Sequence, residues 1–138
     1  MAKSPRRPDR VSPFARLLGL SFTEAEDGGY QCVLKIDEKV LNVYGTVHGG
    51  TLSTLADVTM GWALFDYLRE DERLATVEMK INYFLAVSSG TLIAEAKLIN
   101  KTRNLAVLES TVQCDGRLVA KAMGTFYISK VAEKPPPG

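Results

Sequence analysis

The chain has a single histidine, and it stands where residue types and spacing could do chemistry. His48 is followed at once by Gly49 and Gly50, Asn42 lies six residues before it, and Asp57 lies nine residues after it. If Gly49 opens a helix, its amide N–H has no partner within that helix and sits at the positive end of the helix dipole. Such a donor suits an oxygen that gains negative charge during a reaction, and the missing side chain lets a carbonyl come close. The same glycines would also suit a plain tight turn into a packed helix. Asp57 falls among Leu55, Ala56, Val58 and Met60, where a carboxylate is costly to bury unpaired. A purely structural Asp57 would bond Ser53 or Thr54 one turn back. A chemical one would act as a general base on water, or as a nucleophile giving an anhydride. One histidine excludes triads that need a second one and most zinc sites, and no P-loop or GxGxxG appears. No metal and no cofactor are expected.

The elements that must position these groups are readable from periodicity. Phe14, Leu17 and Leu18 suggest a short opening helix ending near Gly19. Residues 21–25 and 30–36 read as strands joined at Asp27-Gly28-Gly29 into a hairpin. A loop covers 37–47. The segment 49–68 is apolar on nearly every side, which marks a buried helix. Four strands follow. In the first, Val77, Met79, Ile81, Tyr83 and Leu85 alternate with Thr76, Glu78, Lys80 and Asn82. The others cover 91–99, 105–114 and 118–128, with Gly124 expected at a bulge or bend. Their hairpin turns make the sheet antiparallel. One helix apolar on all faces, with two strands before and four after, needs a sheet that curls around it.

Bulk properties narrow the field. The chain has 138 residues, 46% hydrophobic and 24% charged, which is one ordinary globular domain. Residues 13–131 form it, with a flexible lead at 1–12 and a Pro-rich tail at 132–138. A formal charge of +1 gives no broad field toward nucleic acid or membrane. The basic cluster Lys3, Arg6, Arg7 and Arg10 reads as a solvated tail. Cys32 and Cys114 lie in no redox or metal pattern and read as core residues of a reducing cytoplasm. No window approaches the roughly 18 apolar residues of a membrane span.

Asn42, His48-Gly49-Gly50 and Leu55-Ala56-Asp57, with four strands after them, resemble the PaaI-like branch of hotdog acyl-CoA thioesterases. The resemblance covers roughly residues 14–129. It implies an α+β hotdog fold, a curled antiparallel sheet wrapped around one long central helix, and hydrolysis of an aryl- or medium-chain acyl-CoA. It further implies Gly49 as oxyanion donor, Asp57 as base or nucleophile, and Thr76 as the residue that positions water. His48 would orient the loop or the thioester, and Asn42 would help hold the carbonyl or water. From His48 to Asp57 a helix rises roughly 13 Å and turns about 180°. A second copy must then supply half of each site, in the shared-site dimer, doubled to a tetramer, that the resemblance also implies. Gly50 would line the substrate, while Lys101 and Arg103 could meet CoA phosphates. Trp62, Phe65, Tyr83 and Phe84 could line the acyl pocket or simply be core. A dehydratase would need a His opposite a Glu on the helix, with prolines nearby, and this helix carries Asp57 and no Pro. A hydratase would need an Asp and a His five residues apart, which is absent. A non-enzymatic acyl-CoA-binding module could dispense with Asp57.

Overall fold

Local rules set the first elements. In α1 (Pro13–Leu18) the Ser12 side chain accepts the Ala15 N–H at 3.1 Å, and Gly19 ends the helix with φ of 84°. β1 (Ser21–Glu24) and β2 (Tyr30–Lys35) pair antiparallel, and Asp27 Oδ1 accepts the Gly29 N–H in their turn. A 3-10 turn at Glu38–Val40 leads into the 41–47 loop, and α2 runs Gly49–Phe65. β3 (Glu72–Tyr83), β4 (Thr91–Lys101), β5 (Leu105–Cys114) and β6 (Arg117–Lys130) complete the chain. This computed structural model describes residues 11–27 and 29–131. The basic cluster at 3–10, Gly28 and the Pro-rich tail lie outside the described residues.

The six strands form one antiparallel sheet in the order β1-β2-β4-β5-β6-β3. The inner face packs on α2, which touches β2 through β6. This is the hotdog arrangement. Leu52, Leu55, Ala56, Met60 and Leu64 of the helix meet Leu34, Leu92, Leu108, Val112, Phe126 and Ile128 of the sheet, all buried. Each large apolar side chain so buried stabilises the fold by about 1.5–3 kcal/mol. Cys32 and Cys114 are free thiols within this core, and burial pushes the Cys32 thiol up to about 12. Among the described residues no helix is long and apolar enough to cross a membrane.

Three expectations change. The helix is buried along one side only: Ser53, Thr54, Asp57 and Val58 are half-buried, because the sheet covers one flank and leaves the other open. It also ends at Phe65 rather than near Leu68. Leu68 keeps its place in the core from a turn, where its N–H meets the Phe65 carbonyl, and β3 then begins at Glu72. Gly124 sits at no bulge, since it pairs in unbroken register with Met79 and Leu108. Its role is close approach: a Cβ there would lie 2.9 Å from Met60 Cε and 3.4 Å from the Phe126 ring. The bulges fall elsewhere, and one skips Val77.

Replacing Gly124 with Val should therefore overpack the helix–sheet contact and cost about 1–3 kcal/mol in urea unfolding. Adding Met60→Ala should recover part of that loss, since the two side chains compete for one space. Wild-type stability for Gly124→Val alone would refute the close approach.

Candidate active site

The start of α2 is held from several directions. Val40 is buried, and its carbonyl accepts both the His48 N–H at 2.8 Å and the Thr51 hydroxyl at 3.2 Å. His48 is the N-cap, its Nδ1 accepting the Gly50 N–H at 2.8 Å. That bond also explains Gly50, because a Cβ there would come within 3.0 Å of the same Nδ1. Gly49 differs. Among the described residues nothing accepts its N–H, and a Cβ would lie nearest the Tyr83 side chain, at an ordinary 3.4 Å. The Tyr83 hydroxyl donates to the Gly49 carbonyl at 3.3 Å. Asn42 spends its side chain on the loop: Nδ2 donates to Thr46 Oγ1, and Oδ1 accepts the N–H groups of Tyr44 and Thr46. One Nδ2 hydrogen is left for another acceptor. The loop tip carries Val43 and Tyr44, 93% and 87% exposed.

Asp57 has its partner across the sheet rather than one turn back. The Thr76 hydroxyl donates to Asp57 Oδ1 at 2.7 Å, a charge-assisted bond, while Ser53 and Thr54 both donate to the Gly50 carbonyl. The bulge at Val77 makes this possible. By simple alternation Thr76 and Met79 would face opposite ways. With Val77 skipped, Thr76 pairs with Phe126 and Met79 with Gly124, two positions of one inner face.

The candidates thus fall into two groups on one helix. Asn42, His48 and Gly49 lie at its start, and Asp57 with Thr76 lies about 12 Å farther along, at 1.5 Å per residue. The axial rise alone keeps them apart, since Gly50, Ser53, Thr54 and Asp57 share one helix face. Lys101 is the last residue of β4 and Arg103 follows in the turn, both at the end of the sheet opposite Gly49, and Lys101 Nζ donates to the Thr102 carbonyl. Trp62 stacks on Phe22 at 3.8 Å and, with Tyr30 and Tyr67, lines a cleft of about 340 Å³ beside the second half of α2. Phe65 packs against the core and Phe84 is exposed. Of the four aromatic candidates only Tyr83 reaches the helix start. The alternation of β3 places Tyr83 on the inner face, but only the crossover from α2 to the sheet edge brings it to Gly49.

A model of the thioesterase superfamily matches residues 44–121, a stretch holding His48, Gly49, Asp57 and Thr76. Acyl-coenzyme A thioesterase 13 of Homo sapiens is 29% identical over 119 residues, 83% of this chain and 84% of that protein. The structure of conserved protein PA5202 from Pseudomonas aeruginosa is 35% identical, with TM-score 0.82, covering 88% of this chain and 100% of that one. Protein BH2602 from Bacillus halodurans, solved with CoA, is 28% identical, with TM-score 0.83, covering 91% and 83%. By the matched model and the shared fold, the chain belongs to the thioesterase superfamily.

Proposed function

We propose that this enzyme hydrolyses an aryl- or medium-chain acyl-CoA to free acid and CoA at sites shared between two copies. One observation carries the proposal: a free oxyanion donor and a held carboxylate occupy the same rigid helix about 12 Å apart, each lacking the other. A partner related by a two-fold axis brings the Asp57 and Thr76 of one copy to the Gly49, His48 and Asn42 of the other. β3 supports this assembly. It is an edge strand of 12 residues with one side unpaired among the described residues, it exposes Val77, and it carries Thr76 beside the open flank of α2. The exposed outer sheet residues Ile93, Leu105, Met123 and Tyr127 offer a surface for pairing dimers into a tetramer.

In such a site the Gly49 N–H binds the thioester oxygen, and Asp57, fixed by Thr76, takes a proton from water as its oxygen attacks the carbonyl carbon. The oxyanion collapses, the C–S bond breaks, and the thiolate leaves and is protonated as CoA. His48 caps the helix and so aims the Gly49 amide. Asn42 holds the loop and keeps one N–H for the carbonyl or the water. Arg103 and Lys101 of the partner would reach the CoA phosphates. BH2602, solved with CoA, lends support to CoA as the carrier. Two free buried thiols suit a cytoplasmic enzyme.

A thiol-reagent assay over an acyl-CoA panel tests this directly, and no release from any member would favour a binding module. Asp57→Ala should lose at least about 10²-fold in turnover while still binding CoA esters. Normal turnover in that variant would remove Asp57 from the chemistry. Mixing inactive Asn42→Ala and Asp57→Ala subunits should restore one site per heterodimer, so failure to recover any activity would argue against shared sites. The two glycines should separate as well. Gly49→Ala should fold with at least wild-type stability yet lose at least about tenfold in turnover through blocked approach. Gly50→Ala should displace the His48 cap and unfold about 0.5–2 kcal/mol more easily than Gly49→Ala. Equal stability of the two would contradict this division of roles.

A further inference from the structure

We infer that the acyl group lies against α1, and that it is a hydrocarbon without a hydroxyl or charge at its far end. This rests on the thioesterase reading above. A hollow of about 450 Å³ beside the helix start is walled by Phe14 and Leu18 of α1, Leu41 of the loop, and Ser53 and Thr54 of α2. His48 and Gly50 belong to the same wall, so the hollow is continuous with the half-site. Its size falls within the range of small-molecule pockets, about 300–1,000 Å³.

The chemistry of the lining sets the class of occupant. Phe14, Leu17 and Leu18 share one face of α1, while the helix buries only Ala15 in the core. Phe14 is 56% exposed beside a polar site, an apolar surface that lies outside the core formed by the described residues. The polar groups nearby are partly engaged within the chain. Ser53 and Thr54 donate their hydroxyls to the Gly50 carbonyl at 3.1 and 2.8 Å. Lys39, also in the wall, pairs with the Asp37 carboxylate at 2.8 Å. A hydroxylated or charged acyl end would give up water to face Phe14, Leu18 and Leu41. A saturated chain or an unsubstituted ring would gain from the same burial. The neighbouring hollow, about 500 Å³ on the other side of Leu41 and His48, carries the Glu38 carboxylate and is the poorer acyl site.

Isothermal titration of the full-length protein with CoA and with its non-hydrolysable S-octyl thioether tests the assignment. Leu18→Trp should fill the hollow and weaken the thioether at least tenfold relative to CoA. Phe14→Ala, at an exposed position that the fold tolerates, should weaken it at least threefold relative to CoA. An S-(8-hydroxyoctyl) thioether should bind the wild type more weakly than S-octyl. Unchanged thioether-to-CoA ratios in both variants, or equal binding of the two thioethers, would overturn the inference. The two readings fail separately. Thiol release with unshifted ratios overturns the α1 wall alone, whereas shifted ratios without thiol release support the wall and sink the hydrolase.

Discussion

A carboxylate and an amide on one rigid helix, about 12 Å apart, cannot both touch a carbonyl group whose bond is only about 1.2 Å long. α2 has no freedom to close the gap. Between Gly49 and Asp57 the helix is anchored by Leu52, Leu55 and Ala56, all buried against the sheet, and Met60 fixes it from the other side at Gly124. Packing at crystal-like density leaves no room for one half to slide against the other. The features that make α2 a good structural core are those that prevent one copy from completing a catalytic site. Under the proposed function, the open flank of α2 and the unpaired edge of β3 are then the surfaces where the second half arrives.

Each half is held by a device that is costly to maintain. At the helix start, a valine carbonyl holds His48 and Thr51, the histidine caps Gly50, and Asn42 closes the loop that leads in. At the other half, an extra residue in β3 breaks the ladder so that a threonine can face inward. Neither device adds to the apolar core. Placing an unpaired N–H and a hydroxyl-held carboxylate at fixed positions is the sort of preorganisation that favours a charge-separated transition state over its ground state.

Much of the framework was legible because it follows local rules. Hairpin turns at Asp115-Gly116 and at 102–104, and alternation along each strand, pointed to the antiparallel sheet, and a largely apolar segment pointed to the central helix. The Ser88-Ser89-Gly90 turn also reads as a hairpin, yet it is a crossover, because β3 pairs with β6 at the sheet edge while β4 lies between β2 and β5. What stayed hidden depends on pairing between distant segments. The bulge at Val77 is set by register against β6, so alternation alone put Thr76 on the wrong face. Gly124 looked like a bulge because glycine marks both bulges and close approaches, and only the position of Met60 separates them. The bond partner of Asp57 was sought one turn back, yet Ser53 and Thr54 turn their hydroxyls to the helix backbone, leaving the carboxylate for a residue 19 positions away. Resemblance to a family supplied Thr76 as a candidate. The geometry that makes it one comes only from the fold.

Gly49 and Gly50 show most clearly where folding ends and function begins. In the sequence they are indistinguishable. In the structure Gly50 is favoured by the chain itself, because a Cβ would crowd the histidine that caps the helix. Gly49 has room for a methyl group at normal contact distance from Tyr83. A helix prefers Ala to Gly by about 0.8–1.0 kcal/mol at interior positions, and Gly49 lies inside α2, whose cap is His48. The fold alone would therefore gain from alanine at position 49. A glycine that the surrounding protein does not need points to something outside the chain that must come close to its backbone, and the unbonded N–H at that position is what such a visitor would meet.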